Sequence, residues 1–140
     1  MIHKILLLIT FFTSAFALCA QPSDAATGLW LTAEGDSHIE VYRDGAEFKG
    51  KIVWLKNPKD DNGRPVTGEN GNEILNMIIM TRFEYQDGAY VNGNVYDPES
   101  GKTYYGSMEL GGKDVLKLRG SLDKTGWLGR TETWTRVEKQ

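Results

Sequence analysis

Cysteine and histidine are nearly absent. Cys19 is the single cysteine, so no disulfide can form within the chain, and the two histidines are His3 and His38. A zinc site built from Cys and His needs three or four such ligands, and this chain cannot supply them. Proline is scarce, with four residues, and no proline-rich tract, low-complexity segment or internal repeat is present. Apolar residues at helical spacing never run long enough to make a convincing long helix. Positive charge is outweighed: 16 Lys and Arg face 19 Asp and Glu, a net charge of −3. That balance excludes a general basic field for nucleic acid. Lys49, Lys51, Lys56, Lys59 and Arg64 make a local basic stripe, read as a solvated outer face. No Gly-x-Ser-x-Gly is present, and nothing brings Ser37, Ser100, Ser107 or Ser121 to His38 as a triad. The chain carries no recognisable catalytic or cofactor motif, so the reading leans away from an enzyme and implies no cofactor.

Long apolar runs are confined to one place. Lys4 precedes Ile5–Phe12, and small residues follow: Ala15-Phe16-Ala17 fits a cleavage site, and Leu18-Cys19-Ala20 is a second candidate. The pattern is that of a secretory signal peptide over residues 1–20, not a membrane span. Export to the periplasm or beyond is the expectation. A lipid anchor at Cys19 is the alternative, although Leu18 is larger than the residues usual before a lipidated cysteine. Residues 21–27 read as a linker, and residues 28–137 as one domain.

Glycine and aromatic residues are plentiful. The 16 glycines fall mostly at turns, and aromatics make up 11% of the chain. Segments of period-two alternation fill the space between the turns. Gly28–Thr32 opens the series, followed by His38–Arg43, Glu47–Leu55, Met80–Gln86, Ala89–Tyr96, Lys102–Leu110, Asp114–Ser121 and Gly129–Val137. Asp44-Gly45 and Asp87-Gly88 are two-residue hairpin signals, because both positions of the favoured turn need φ > 0. Asp97-Pro98-Glu99-Ser100-Gly101 reads as a tight turn. Phe48, Gly50, Ile52 and Trp54 share one face of the third segment, and Val91, Gly93 and Val95 share one face of the fifth. These faces are expected inside, since burying a side chain such as Phe48 contributes roughly 1.5–3 kcal/mol. Eight antiparallel strands with short links suit an all-β up-and-down barrel, with a β-sandwich as the alternative.

Lys56–Asn72 breaks the alternation. Loops of this length are uncommon and tend to be functional or mobile. Asp60, Asn62, Gly63 and Glu69 match four positions of a calcium loop, but Pro58 stands where the first carboxylate is needed. The segment reads as turn chemistry, with no metal.

The last strand carries the candidate site. Arg130, Glu132 and Trp134 share a face with Arg136 and are expected to point inward. Arg130 could hold a ligand carboxylate or phosphate, walled by Trp54, Tyr96, Tyr104 and Trp134. The alternative is an Arg130–Glu132 pair that only fixes the barrel. A cation–π contact between Trp30 and Arg136 would join the first strand to the last.

Four stretches together carry a family resemblance: Gly50–Pro65, Val95–Tyr104, Leu116–Gly120 and Gly129–Val137. They resemble domain-of-unknown-function family 2147, exported bacterial proteins, over about Gly28 to Val137. Glu69–Met80 departs from that family's pattern, so no role for it is carried over. The resemblance implies a calycin- or lipocalin-like barrel, in which Gly28-Leu29-Trp30 and Arg136 form the closure. It brings no activity with it. Two functions are therefore carried forward: a monomeric barrel holding a small amphipathic or anionic ligand, and a filled barrel whose 56–72 loop engages an envelope protein.

Overall fold

The computed structural model describes residues 23–138 and contains eight antiparallel strands closed into one barrel. They are β1 (Gly28–Leu31), β2 (Ser37–Asp44), β3 (Glu47–Leu55), β4 (Ile78–Gln86), β5 (Ala89–Asp97), β6 (Lys102–Gly112), β7 (Val115–Ser121) and β8 (Gly129–Arg136). Each strand pairs with its neighbour in sequence, and β1 meets β8 through Trp30↔Arg136 and Leu31↔Thr135. Closure leaves no sheet edge, which settles barrel against sandwich. The signal-peptide reading and Cys19 lie outside the described residues.

The strands slip register at five places, and three of these slips set the inward faces of β3, β4 and β5. In β3, His38 pairs with Trp54 but Ile39 with Ile52, so Val53 is the extra residue. In β4, Thr81 and Arg82 together oppose Lys49, with Arg82 at φ 64°. In β5, Val91 and Asn92 together oppose Ser107, with Asn92 at φ 58°. A bulge shifts the alternation by one residue. Met80 and Phe83 therefore both point inward although three residues apart, and so do Tyr90 and Gly93. The expected inward face of β5 is corrected accordingly: Tyr90 is buried, while Val91 lines the outer wall.

The interior is filled by Trp30, Ile39, Val41, Phe48, Ile52, Met80, Phe83, Tyr90, Met108, Leu116, Leu118 and Trp134, none more than 6% exposed. Glycine makes this density possible. A Cβ at Gly93 or Gly106 would lie 2.4 or 2.7 Å from the Phe83 ring, and one at Gly50 would lie 2.5 Å from the Met80 sulfur. The large side chains thus occupy space that the facing strands vacate.

One end is plugged. Ser23–Ala26 forms a 3₁₀ turn against the hairpin end of the barrel. The Tyr90 hydroxyl donates to the Ser23 carbonyl at 2.5 Å and accepts from the Ala26 N–H at 3.1 Å. The Trp30 indole N–H donates to the Ala26 carbonyl at 2.9 Å. Residues 21–27 were expected to be a linker; instead Ala26 is fully buried and belongs to the core. Small side chains at Ala25 and Ala26 give Tyr90, Trp30 and Arg136 access to the backbone of the turn.

Candidate functional site

Arg136 is the keystone of the closed end. Its guanidinium carbon lies 4.3 Å from the centroid of the Trp30 ring. Its two terminal nitrogens donate to the carbonyls of Thr27 and Ala25 at 2.9 Å, and Nε donates to Lys113 at 3.2 Å. Asp114 stands 3.6 Å away. The planar fork both stacks and bonds, which an ammonium cannot do. Gly28 is required beside it for two reasons: its φ is +131°, and a Cβ there would lie 2.7 Å from an Arg136 nitrogen. Gly28, Trp30 and Arg136 thus form one structural unit. Burial raises the Tyr90 phenol above its ordinary value, and the Ala26 N–H opposes that shift.

The opposite end carries the loops, and here the six candidate ligand residues separate. Trp134 is buried at the inner wall, and its indole N–H donates to Glu132 at 3.4 Å. The other oxygen of Glu132 accepts from Arg130 at 3.2 Å. Tyr104 shares the inner face of β6 with Gly106 and Met108 and packs against Gly120. Along the inner wall, Arg130 and Tyr104 lie towards the loop-bearing end, Glu132 midway opposite Leu118, and Trp134 towards the closed end opposite Leu116. Arg130 departs from the expectation: its side chain is 85% exposed. The alternation places it on the inward face, but its position near the start of β8 leaves it at the rim. An anion held by Arg130 would have to compete with Glu132.

Trp54 and Tyr96 do not line the interior. The bulge at Val53 turns Trp54 out against His38, with ring centroids 4.4 Å apart, and leaves it 41% exposed. Tyr96 alternates with the inward Val95 and lies outside. The expected aromatic wall therefore reduces to Tyr104 and Trp134.

The segment between β3 and β4 is built, not slack. Lys59 bridges to Pro65 and Thr67 to Glu73. One Asp60 oxygen accepts the N–H groups of Asn62 and Arg64 at 2.9 Å, and the other faces Arg64 Nε at 3.5 Å. That carboxylate serves a turn. The Glu69 N–H donates to Pro98 at 2.8 Å, which ties the loop to the β5–β6 turn. Ile74 packs onto the core, and residues 76 and 77 pair with Ile52. A recess of about 400 Å³ lies among Asp60, Arg64, Pro65, Thr67 and Glu73. A second, of about 240 Å³, lies on the outer wall among Val91, Ser107, Glu109, Lys117 and Arg119. Neither opens into the barrel. Among the described residues no group of three His, Cys, Asp or Glu is arranged to hold a metal.

The β7–β8 turn is the most exposed apolar feature at this end. Trp127 is 85% exposed, Leu122 67% and Leu128 61%. Asp123 organises the turn by accepting from the Thr125 hydroxyl and from the Trp127 and Leu128 N–H groups. The Thr125 bond first, then the Leu128 N–H, hold its carboxyl below the ordinary value. Arg119 donates to the Gly126 carbonyl and to Thr131, pinning the turn to the outer wall. The missed signal was an Asp followed by exposed Trp-Leu in a short polar turn.

Residues 28–136 match the model of a family described as an uncharacterized protein conserved in bacteria, DUF2147. The chain belongs to this family. DUF2147 matches the whole barrel from the first residue of β1 to the last of β8. Among solved structures, the chain is similar to protein HP1028 from Helicobacter pylori, described as belonging to the lipocalin family. The TM-score is 0.66 at 20% identity, covering 81% of this chain and 83% of that one. At that identity the likeness speaks for the fold alone. No curated protein matches the chain.

Proposed function

We propose that this DUF2147 protein is an exported, filled lipocalin-type barrel that works as an interaction module of the cell envelope. Its contacts lie at the loop-bearing end, with the 56–77 segment foremost. The observation that carries this reading is the occupied interior: Phe83 lies over Gly93 and Gly106, and Met80 over Gly50, so side chains take the place of cargo. The built loop supports it as well, since its own ladders and the tie to Pro98 hold a defined surface outward. Replacing residues 58–72 with a short Gly-Asn turn leaves β4 and Ile74 in place. Affinity purification from solubilised envelope should then lose a partner that the unaltered protein retains, while the barrel still melts cooperatively. Retention of the same partners by the replaced chain would reject the proposal.

A second reading, binding of a small amphipathic molecule, is favoured by one feature. Glu132, partly exposed, bridges the exposed Arg130 at the mouth and the indole N–H of the buried Trp134. A ligand there would meet Arg130 and Glu132 at the mouth, above the buried Trp134, instead of descending into the barrel. Quenching of the Trp134 emission by a co-purified molecule, lost in Glu132→Ala, would support this reading over the first.

A further inference from the structure

The β7–β8 turn differs from the other loops in what it shows to solvent. Leu122, Trp127 and Leu128 project from a seven-residue turn, each more than 60% exposed. Nothing about the turn is slack. Leu122 N–H donates to the Leu128 carbonyl at 2.9 Å, and Gly126 N–H to the Asp123 carbonyl at 3.2 Å. The Asp123 carboxylate takes the Trp127 and Leu128 N–H groups, and Arg119 takes the Gly126 carbonyl. The N–H groups of the three apolar residues are therefore all bonded within the turn while their side chains are turned out.

We infer that this turn is a membrane-surface anchor, in which Trp127, Leu122 and Leu128 enter the headgroup and upper acyl region of a bilayer. Three observations select a lipid surface over a protein. Entry into an apolar phase is costly for unpaired N–H groups, and those of Leu122, Trp127 and Leu128 are paired within the turn. Its side chains are the two kinds that partition there: an amphipathic indole suited to the interface, and leucine suited to the acyl boundary. Lys124 and Arg130 flank the tip, and Arg130 is 85% exposed, so two cations stand at headgroup level although the chain as a whole is acidic. The only carboxylate in the turn itself, Asp123, is turned back onto the turn's own donors.

The inference stands independently of a protein partner for the 56–77 loop, because it uses a different loop. It also sets an orientation. The chain enters the barrel through the 3₁₀ turn at the closed end, opposite the tip, so a lipid on Cys19 would draw the wrong end to the membrane.

The test uses the full chain carrying Cys19→Ser, exported and purified from the envelope, with sedimentable vesicles of phosphatidylcholine containing a minority of phosphatidylglycerol. The unaltered tip should co-sediment. Trp127→Ser and Leu122→Ser should each weaken partitioning by at least about tenfold without lowering the melting temperature, since both side chains are exposed. Lys124→Glu should weaken binding to the mixed vesicles and not to pure phosphatidylcholine. In a Trp54→Phe background, bromine on the acyl chains should quench the remaining exposed tryptophan. Absence of co-sedimentation would overturn the inference, as would binding unchanged by both serine variants. A dimer in lipid-free solution that Trp127→Ser dissolves would also overturn it, by assigning the tip to a second copy of the chain.

Discussion

Arg130 and Arg136 lie on the same face of one strand and end in opposite circumstances. Arg136 stacks on Trp30 and spends its donors on the carbonyls of Ala25, Thr27 and Lys113. Arg130 reaches out from the rim and pairs with Glu132. The aromatic residues divide in the same way. Trp30, Tyr90 and Trp134 are buried with their polar atoms bonded, whereas Trp127 stands in solvent on a turn that is itself well bonded. The closed end uses charge and aromatic surface for stability. The loop-bearing end keeps them available. Stability and available contacts are thereby placed at opposite ends of one barrel.

The largest expected effect comes from emptying the middle of the barrel. Phe83→Ala leaves a void opposite Gly93 and Gly106 and should cost about 3–5 kcal/mol, read by chemical denaturation. A cost under about 1 kcal/mol would mean that the interior is loose and that the contrast between the two ends is false.

Arg136→Ala comes next. It removes the stack on Trp30 and leaves three carbonyls short of a donor, for an expected loss of about 1–3 kcal/mol and several degrees of melting temperature. Arg136→Lys should recover only part of this. Arg130→Ala is the matched comparison on the same strand and should cost under about 0.5 kcal/mol, because an exposed ion pair contributes little. Equal losses at the two arginines would erase the distinction. Arg119 would be a poor control despite its outward position, since it holds the β7–β8 turn.

Tyr90→Phe removes the hydroxyl that secures the 3₁₀ turn and should cost about 1–2 kcal/mol. It should also change the alkaline limb of stability. The phenol is raised above 10.0, chiefly by burial. Its contribution is therefore complete below about pH 10 and is lost as pH rises through the raised value. The Phe variant should lack this alkaline loss.

The smallest effect belongs to Asp123. Its carboxyl is lowered from 3.8, the Thr125 bond contributing most. Its hold on the turn is present above that ordinary value and is lost as pH falls through the lowered one. Asp123→Asn should speed amide exchange at Leu128 near neutral pH and leave the barrel's melting unchanged. A fall in global melting would tie the turn to the core.

Much of the fold was legible because period-two alternation and Asp-Gly pairs report directly on strands and hairpins. Gly28, Trp30 and Arg136 were legible together because a Gly-x-Trp and a terminal Arg lie on strands that must meet. Depth and local slips were not. Alternation tells which side of a strand a residue takes, so it assigned Arg130 to the inner face without revealing that it sits at the rim. The bulges in β3 and β5 then moved Trp54 and Val91 out and Tyr90 in. Asn92 before Gly93 was a usable sign of one, since Asn tolerates positive φ, but Arg82 at φ 64° carries no such sign. The 3₁₀ plug was hidden by composition: Ser-Asp-Ala-Ala reads as a polar linker until Tyr90 and Trp30 are known to bond its backbone.

The central claim is that side chains, not cargo, fill this barrel. Native mass spectrometry of the protein purified gently from the cells that make it tests it most directly. The account predicts the mass of the polypeptide alone, with no stoichiometric small molecule. A bound molecule at one per chain, displaced by Phe83→Trp but not by changes at Arg130 or Trp127, would place a ligand inside the barrel and contradict it.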